Sequence, residues 1–434
     1  MNRKYLILAM SILTFLEVSA QTPKNKDAQS DTLELPYSTK SVTNFSHVIG
    51  WSGNEKPTAP VGFDVSKYAD GFQNPRWLYI LPNGDVLVAE SNSHHSAVEK
   101  IGGTIIGAGK SNDLSNSANR ITLLRDANKD GIPEVRDTFL TNLNQPFGML
   151  VLGNWFYVAN TDALLRFPYK SGQTKINGSG EKITDLPAAK HNNRHWTRNI
   201  IANATGTKIY ITIGSGSNIA ENGIDQEEGR ATIIEISPDG KNKRIYASGL
   251  RNPVGMAWAP GTNTLWTVVN ERDELGDDLV PDYLTHVKAG GFYGWPYSYF
   301  GQHEDPRIKE EDKKPELVKK AIVPDVDLGA HTASLGLAFY TKKSFPLKYQ
   351  NGVFIAQHGS WNRSVLSGYR IVFIPFKDGK PAGVPEDFLT GFISNLEKSE
   401  VHGRPVGVIV TPDGSLLVTD DVTNTIWKVS ASKK

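Results

Sequence analysis

The sequence predicts an all-β protein, a six-bladed β-propeller of four-stranded antiparallel blades, and two observations carry that prediction. The 434 residues read as strand-sized apolar runs broken by Gly, Asn and Asp, with few long helical patterns. One unit also recurs six times: a strand that contains Pro or Gly, a tight turn, and a second apolar strand. Such a hairpin cannot bury its apolar face alone, whereas radial repetition buries it and protects the strand edges.

The strand, the turn and the second strand follow one another in the same way in all six copies. Each turn needs Gly or Asn at positive φ. They begin with the segments Asn74–Leu78, Gln145–Met149, His195–Asn199, Arg251–Met256, Ser334–Leu337 and Arg404–Val408. Their turns contain Gly84, Gly153, Gly206, Gly261, Asn351 and Gly414. The last copy has only three good strands, so we expect Gly62–Tyr68 to supply its outer strand and close the ring. A β-sandwich is the alternative, but it does not explain six repeats in one phase.

The N-terminal residues predict export. Arg3 and Lys4 precede an apolar run that ends at Leu16, and Ala20 offers a small residue at the cleavage site. We therefore expect a signal peptide over residues 1–20, a flexible lead-in over 21–45 and one propeller domain over 46–434. A periplasmic or secreted location follows. The chain contains no cysteine, which excludes disulfides, thiolate metal sites and a covalently attached haem.

The charge balance excludes some partners. The chain has 47 basic and 46 acidic residues, so no global field favours nucleic acid or an anionic membrane surface. No segment after the signal reaches the ~18 apolar residues of a membrane span. Two inserts interrupt the repeat, at about residues 91–120 and 301–325. We expect the first to shape the entrance to a site and the second, which is highly charged, to be a solvated loop.

Cationic side chains cluster where the inner strands of a propeller begin. They are His195 with Arg198, Arg251, His358 with Arg363, and His402 with Arg404. Converging arginines suit a small polyanion because the guanidinium fork matches a carboxylate in a bidentate manner. The alternative is that each arginine lies on a solvated loop. Four arginines at comparable positions favour a ligand site in the central channel.

Three segments in a fixed order carry a family resemblance: residues 248–255 (SGLRNPVG), 270–278 (NERDELGDD) and 288–296 (KAGGFYGWP). Together they resemble the soluble glucose/sorbosone dehydrogenase family that depends on pyrroloquinoline quinone (PQQ). Residues 195–199 (HWTRN) and 358–363 (HGSWNR) resemble its sorbosone and pyranose dehydrogenase branch. The resemblance covers roughly residues 70–430.

The resemblance implies an oxidoreductase that uses PQQ and calcium on an aldose, a sorbosone-like aldehyde or a pyranose. His195 matches the general base that takes the hydroxyl proton as hydride leaves carbon, a task suited to imidazole near neutral pH. Arg251 matches a catalytic group that stabilises charge on the quinone, and with Asn252 it contacts the cofactor. Since a haem attachment motif would need cysteine, electrons would pass to an external acceptor.

The remaining cofactor and metal residues also follow from the resemblance. Arg404 matches an arginine that holds PQQ carboxylates, and Arg198 and Arg363 are further cofactor-binding candidates. The backbone carbonyls of Arg272 and Asp273 match the ligands of the catalytic calcium. The sequence departs from the glucose-specific branch at Val406, where that branch has a second arginine. The PQQ-binding lysine of the family has no clear counterpart, and Arg363 is the candidate replacement.

A second calcium signal is independent of the family. Residues 126–137 place oxygen side chains at the first, third, fifth, ninth and twelfth positions of a loop, with Gly at the sixth. These ligand candidates are Asp126, Asn128, Asp130, Glu134 and Asp137. The loop departs from the calcium pattern in ending on Asp and in having strand-like flanks. A metal-free hairpin turn is the alternative.

Two other functions remain open at this stage. A calcium-dependent lactonase-type propeller would place carboxylates and Asn at the channel, whereas this chain places Arg and His there. A propeller that only binds carbohydrate or protein would have lost its cofactor, which the missing lysine and arginine allow. The residues do not reveal which sugar is oxidised, which acceptor takes the electrons, or the oligomeric state.

Overall fold

The computed structural model describes residues 33–94, 108–111, 114–188 and 193–432, and the signal peptide expected over residues 1–20 lies outside them. The described chain is almost entirely strand and turn, which confirms the all-β prediction. Helix is confined to α1 (Ala108–Ser111), α2 (Pro315–Val318) and the 3₁₀ turns Ile224–Glu227, Glu310–Asp312 and Leu347–Tyr349. None of these described helices is long and apolar enough to cross a membrane.

Six sheets of at least four strands, numbered I to VI, account for most of the described strands. The first strands along the chain are β1 (His47–Val48) and β2 (Phe63–Ala69). Sheet I contains β3 (Pro75–Ile80), β4 (Val86–Glu90), β5 (Arg120–Arg125) and β6 (Val135–Leu140). Sheet II contains β7 (Met149–Leu152), β8 (Trp155–Ala159), β9 (Ala163–Pro168) and β10 (Glu181–Asp185). Sheet III contains β11 (Ile200–Ala202), β12 (Ile209–Ile213), β13 (Thr232–Ile236) and β14 (Arg244–Ser248).

The remaining sheets follow the same antiparallel order with more interruptions. Sheet IV contains β15 (Pro253–Trp258), β16 (Leu265–Val269) and β17 (Pro281–Val287). Three short strands precede the fourth strand of sheet IV, β21 (Val326–Ala330). Of these, β18 (Gly291–Phe292) pairs parallel with β14 and so extends sheet III, and β19 (Ser298–Tyr299) pairs with β20 (His303–Glu304). Sheet V contains β22 (Ser334–Tyr340), β23 (Gly352–Gln357), β24 (Arg370–Lys377), β25 (Lys380–Pro381) and β26 (Glu386–Leu389). After β27 (Ile393–Asn395) and β28 (Glu400–Val401), sheet VI contains β29 (Pro405–Val410), β30 (Leu416–Asp420) and β31 (Thr425–Ala431).

The outer strand of sheet VI comes from the beginning of the described chain. Strand β2 pairs antiparallel with β31, with Phe63 opposite Ala431 and Val65 opposite Val429. This pairing confirms the expectation that the segment near Gly62–Tyr68 completes the last sheet. Without β2, one edge of β31 would have no hydrogen-bond partners. With β2 in place, both edges of β31 are paired.

The hairpin turns of the six repeats adopt the predicted backbone conformation. The residues at these turns have φ values of 96° (Gly84), 57° (Gly153), 66° (Gly206), 72° (Gly261), 57° (Asn351) and 86° (Gly414). Glycine and asparagine tolerate this left-handed region better than other residues, so the turn chemistry sets where each first strand ends.

The first strands of the sheets contact one another in the cyclic order β3, β7, β11, β15, β22, β29 and back to β3. Glycines within these strands or directly before them allow the close approach. A Cβ added at Gly148 would lie 2.5 Å from the Ile200 backbone nitrogen, and one at Gly255 would lie 2.6 Å from the Leu335 carbonyl oxygen. A Cβ at Gly407 would lie 2.8 Å from the carbonyl oxygen of Arg76. The apolar residues between neighbouring sheets form the core.

A segment ahead of β2, residues 37–48, lies across the loops at one end of the sheets; we call it the strap. Its backbone bonds to the loop between β16 and β17 of sheet IV, where Tyr37 N donates to Leu275 O at 2.8 Å. It also bonds to the loop after β23, where Asn44 N donates to Trp361 O at 2.8 Å. The described part of the segment expected to be a flexible lead-in is thus hydrogen-bonded to two sheets.

Candidate functional site

A cavity of about 510 Å³ opens where the inner strands begin, a volume typical of small-ligand sites. Residues from sheets I, III, IV, V and VI line it, together with the strap. Its buried floor includes Asn74, Asn252, Leu335, His358, Arg404 and Asp421. Its more exposed mouth includes Phe45, Asn92, Ser93, Arg194, Glu274 and Trp361.

His195 lines this cavity, as the sequence predicted for the general base. Its Nδ1 lies 2.9 Å from the carbonyl oxygen and 2.9 Å from the hydroxyl of Ser215. Because a carbonyl only accepts, Nδ1 carries the proton and Nε2 keeps a lone pair. Burial and the positive charge of Arg251 hold the pKa of His195 well below its usual value of 6.5. The ring is therefore neutral at pH 7, with the lone pair of Nε2 available.

Asn252 reaches the cavity beside His195. Its Oδ1 is buried and has no hydrogen-bond partner among the described residues. The close approach of the two side chains depends on Gly214, where a Cβ would collide with both the Asn252 amide and the His195 Cβ. An unpartnered buried amide in a cavity is a group that a polar ligand would satisfy.

Arg404 also lies at the cavity, in agreement with the sequence. Its guanidinium donates to the carbonyl oxygens of His358 at 3.1 Å and Gly359 at 3.1 Å. It donates as well to the hydroxyl of Ser111 in α1 at 3.2 Å. Ser111, in the described part of the first insert, therefore contacts a cavity residue, and Asn92 and Ser93 near the start of that insert line the cavity itself.

His358, Asp421 and Arg76 form a hydrogen-bonded chain on the cavity floor, and of the three only His358 was among the site candidates that the sequence offered. The His358 Nε2 lies 3.0 Å from one carboxylate oxygen of Asp421, and the Arg76 guanidinium lies 2.5 Å from the other. Burial and then Arg404 lower the pKa of His358 to about 4. Burial alone would raise the pKa of Asp421, but His358 and Arg76 hold it below its usual range. The signal in the sequence was the position of Arg76 within Asn74–Leu78, the segment that opens the first repeat, just as His195 lies in the segment that opens the third.

Arg251 lies behind His195 and is not part of the cavity lining. Its guanidinium donates to the Glu271 carbonyl oxygen at 2.6 Å and to the Asn218 side-chain oxygen at 2.9 Å. Its Nη2 also lies 3.4 Å from the Asp273 carboxylate. Arg251 thus acts on the site through the pKa of His195, and direct contact with a ligand would require it to leave these partners.

Arg198 and Arg363 lie outside the cavity lining as well. Arg198 is fully buried and donates to the carbonyl oxygens of His195 at 2.7 Å and Pro187 at 2.7 Å. Burial, followed by the charge of Arg230, lowers its pKa to about 9. Arg363 pairs with Asp278 at 2.6 Å on an exposed loop. These contacts favour a structural role for both arginines.

One of the two carbonyls expected to bind calcium, that of Asp273, is engaged by neighbouring side chains, and the Arg272 side chain belongs to a buried charge network. The Asp273 carbonyl oxygen already accepts from Arg307 at 2.8 Å and from the Asn218 amide at 3.2 Å. The Arg272 guanidinium is fully buried and pairs with Glu271 and Asp305. Two N–H donors on one carbonyl occupy both lone pairs that a metal would need. As it stands, this arrangement does not fit a calcium ion at the Asp273 carbonyl.

The second insert therefore does more than form a solvated loop. Asp305 is buried against Arg272, and Arg307 reaches the Asp273 carbonyl. The lysine-rich part that follows, residues 309–314, is largely exposed as expected.

The acidic loop at residues 126–137 folds into a turn at the end of β5, away from the cavity. Carboxylate oxygens of Asp126, Asp130 and Glu134 lie within 4.8 Å of one another, and Asp137 is instead part of β6. The Asp126 carboxylate accepts from the backbone nitrogens of Asp130 and Gly131. The Asn128 side chain accepts from the Asp130 nitrogen. These bonds from side-chain oxygens to backbone nitrogens shape the turn.

A family model for glucose and sorbosone dehydrogenases matches residues 157–370. An uncharacterized protein of Borreliella burgdorferi is 32% identical over 308 residues, which cover 68% of this chain and 78% of that protein. This chain belongs to the glucose/sorbosone dehydrogenase family. The matched range contains His195 and Asn252, whereas Arg76, Arg404 and Asp421 lie outside it.

Two relatives of this family have assigned activities. The aldose sugar dehydrogenase YliI of Escherichia coli is 32% identical over 120 residues, 28% of this chain and 30% of that protein. The PQQ-dependent pyranose dehydrogenase of Coprinopsis cinerea is 22% identical over 299 residues, 56% of this chain and 40% of that protein. Each match thus spans less than half of the relative.

Solved structures share the fold. A Trichoderma reesei enzyme of carbohydrate-active family AA12 superposes with a TM-score of 0.70 at 17% identity, over 88% of this chain and all of that one. The PQQ domain of the Coprinopsis cinerea pyranose dehydrogenase superposes with a TM-score of 0.66 at 19% identity, over 89% of this chain and all of that domain. At this level of identity the likeness describes the fold alone.

Proposed function

We propose that the protein is a PQQ-dependent dehydrogenase that oxidises a hydroxyl group of an aldose, a sorbosone-like aldehyde or a pyranose. The six sheets would form a six-bladed propeller around the cavity. One observation carries the proposal: His195 presents a neutral imidazole in a cavity whose floor has unsatisfied polar atoms. The names of the two relatives with assigned activities support the same reaction class.

His195 would take the hydroxyl proton of the substrate at Nε2. The bond from Nδ1 to Ser215 fixes the ring and its tautomer, so the acceptor nitrogen keeps one orientation. Protonation would create an imidazolium near the cation of Arg251. Because the two positive charges repel each other, His195 would release the proton again during turnover.

The residues of the cavity floor fit a planar, acidic cofactor such as PQQ. The side-chain oxygens of Asn74 and Asn252 and the Nε of Arg76 are buried without described partners. Arg76 and Arg404 bring positive charge to the same floor, which suits ligand carboxylates. When bound, PQQ would supply the two-electron acceptor for the hydride of the substrate. Arg76 and Arg404 would hold it, and Asn252 would bond to its polar edge.

Calcium does not have the same support at the predicted position. With the Asp273 carbonyl bonded to Arg307 and Asn218, no step of the proposed reaction is assigned to a metal there. We expect a calcium chelator to leave PQQ binding by the purified protein unchanged. A loss of binding on chelation, restored by calcium, would show that Arg307 moves aside for the ion.

Binding of PQQ to the purified protein tests the proposed site. Arg404→Ala and Arg76→Gln should each weaken binding, by about 10-fold or more, because each removes a charge-assisted bond from the floor. Arg363→Ala is the matched control, since its guanidinium pairs with Asp278 outside the cavity. Equal affinity in all four proteins would remove PQQ from this cavity. A lactonase assay and a glycan-binding screen would then test the two alternative functions.

Export and an external electron acceptor complete the proposal. The basic and apolar residues near the N-terminus support export, and the absence of cysteine from the sequence supports a separate acceptor. Cell fractionation followed by N-terminal sequencing of the mature protein tests the first. We expect the mature chain to begin near Gln21.

A further inference from the structure

Trp361 exposes part of its indole at the mouth of the cavity. Its exposed fraction is 36%, the largest among the tryptophans of the described chain. It follows β23 by four residues, in the same loop that brings His358 and Gly359 to the floor. An exposed indole at the entrance of a polar cavity is an apolar surface that a ligand can cover.

Phe45 supports the indole from behind. The two rings are stacked, with centroids 6.0 Å apart and planes inclined by 15°. Phe45 comes from the strap, far from Trp361 in sequence, and Asn44 next to it bonds to both Trp361 O and Ser364 O. Asn362 in turn donates to the Val42 carbonyl. These hydrogen bonds hold the strap and the loop after β23 together, and they thereby restrict the position of the indole.

The groups around the mouth are polar. Arg194 and Glu274 are exposed there, and the partly buried Asn92 and Ser93 line the same opening. A pyranose ring has apolar C–H faces and hydroxyl groups on its edge. A flat aromatic face surrounded by amide, hydroxyl and charged groups suits such a ring. The aromatic face packs against the C–H face of the sugar, and the polar groups hydrogen-bond to its hydroxyls.

The position of Trp361 relative to His195 indicates which ring it would contact. Under the proposed function, the ring that is oxidised lies near His195 and Asn252 on the floor. Trp361 lies at the mouth, where a sugar joined to the oxidised ring would extend toward solvent. We propose that Trp361, supported by Phe45, is a stacking subsite for the second ring of a disaccharide or longer substrate. This inference rests on the proposed function and specifies its substrate class.

Steady-state kinetics with glucose and with the disaccharides cellobiose and maltose test the subsite. Trp361→Ala should raise KM for a disaccharide about 5- to 10-fold while leaving kcat and the KM for glucose nearly unchanged. Phe45→Ala should have a smaller effect in the same direction. Trp361→Phe should retain most of the disaccharide preference. Tyr37→Ala is the control, because Tyr37 lies on the strap, is exposed, and does not line the cavity.

A second readout does not need the cofactor. Cellobiose titrated into the cofactor-free protein should change tryptophan fluorescence saturably, and Trp361→Ala should remove that change while Tyr37→Ala preserves it. Equal KM changes for glucose and disaccharides in Trp361→Ala, or an unchanged fluorescence titration, would overturn the subsite. If the wild-type protein with PQQ oxidises no sugar, the proposed function fails, and the fluorescence titration still decides whether Trp361 binds a sugar.

Discussion

At the scale of single residues, the cavity contains two imidazoles with different partners. His195 is fixed by a carbonyl and lies near the cation of Arg251, whereas His358 is fixed by the carboxylate of Asp421. Both have lowered pKa values, so both are neutral at pH 7. Under the proposed function His195 is the proton acceptor, whereas His358, whose Nε2 is bonded to the Asp421 carboxylate, helps to organise the floor.

His195→Ala tests the first role. We expect turnover of the PQQ-loaded protein to fall by roughly 10²–10⁴-fold while PQQ affinity stays close to that of the wild type. Since the pKa of His195 lies well below 6.5, wild-type activity should persist through pH 6.5 and fall only at lower pH. Stopped-flow and steady-state dye reduction measure this, with His303→Ala on exposed β20 as control. Unchanged turnover in His195→Ala would exclude it as the base.

Asp421→Asn tests the second role through stability. The pKa of Asp421 is lowered on folding, so its contribution is present above the unfolded value of about 3.9 and is lost as pH falls through the folded value. At pH 7 we expect the free energy of unfolding to drop by about 2–4 kcal/mol, because Arg76 loses a buried partner. The difference from wild type should shrink below about pH 4.

Urea denaturation at several pH values provides the measurement. Asp70→Asn is the control, since its pair with Lys67 is exposed and contributes less than about 1 kcal/mol. An equal loss in both variants, or a loss that does not depend on pH, would contradict the ionic role of Asp421.

At the scale of elements, glycines serve two separate purposes in the repeat. Gly84 occupies a turn at φ 96° with nothing within 4 Å of an added Cβ. Gly255 lies inside β15, where a Cβ would meet the Leu335 carbonyl oxygen of the neighbouring inner strand at 2.6 Å. Gly84 meets the need of the turn for a positive φ, and Gly255 leaves room for the backbone of the neighbouring strand.

Substitution at the two glycines should therefore change the free energy of unfolding by different amounts. Gly255→Ala should lower the free energy of unfolding by about 1–3 kcal/mol, because the backbone of β22 must shift to admit the methyl group. Gly84→Asn should change it by less than about 1 kcal/mol, since Asn tolerates positive φ and has room. Thermal and urea unfolding of both variants measure the difference. A neutral Gly255→Ala would mean that the inner strands are not tightly apposed.

The sequence was informative about elements because turns and strands are local. The positive-φ turns and the outer strand from Gly62–Tyr68 followed from residue type and from the missing fourth strand of the last repeat. The site was harder to predict because its members come from five sheets. His195, Asn252 and Arg404 were identified, but no local pattern could show that Arg251 and Arg198 turn inward to backbone carbonyls. The pairing of Asp421 with His358 across 63 positions was equally invisible.

At the scale of the whole molecule, β2 closes the cycle of sheets. Val65 is 6% exposed and packs into the core between sheets V and VI, whereas Ser66 faces solvent on the same strand. Val65→Ala should therefore lower the free energy of unfolding by about 1–3 kcal/mol, and Ser66→Ala should leave it nearly unchanged. Urea unfolding of the two variants checks this. Equal stability would show that β2 is dispensable for closure.

The cycle of sheets also positions the site, because Arg76 lies on β3 and Arg404 immediately precedes β29, the neighbouring inner strand. Under the proposed function, this closed cycle of sheets holds PQQ, and sugars are oxidised at His195. The most direct test is reduction of an artificial electron acceptor by the purified protein with PQQ and a panel of aldoses, pyranoses and disaccharides. Saturable, PQQ-dependent dye reduction that His195→Ala abolishes is the predicted result. A protein that binds PQQ or sugar but reduces no dye with any member of the panel would contradict the account.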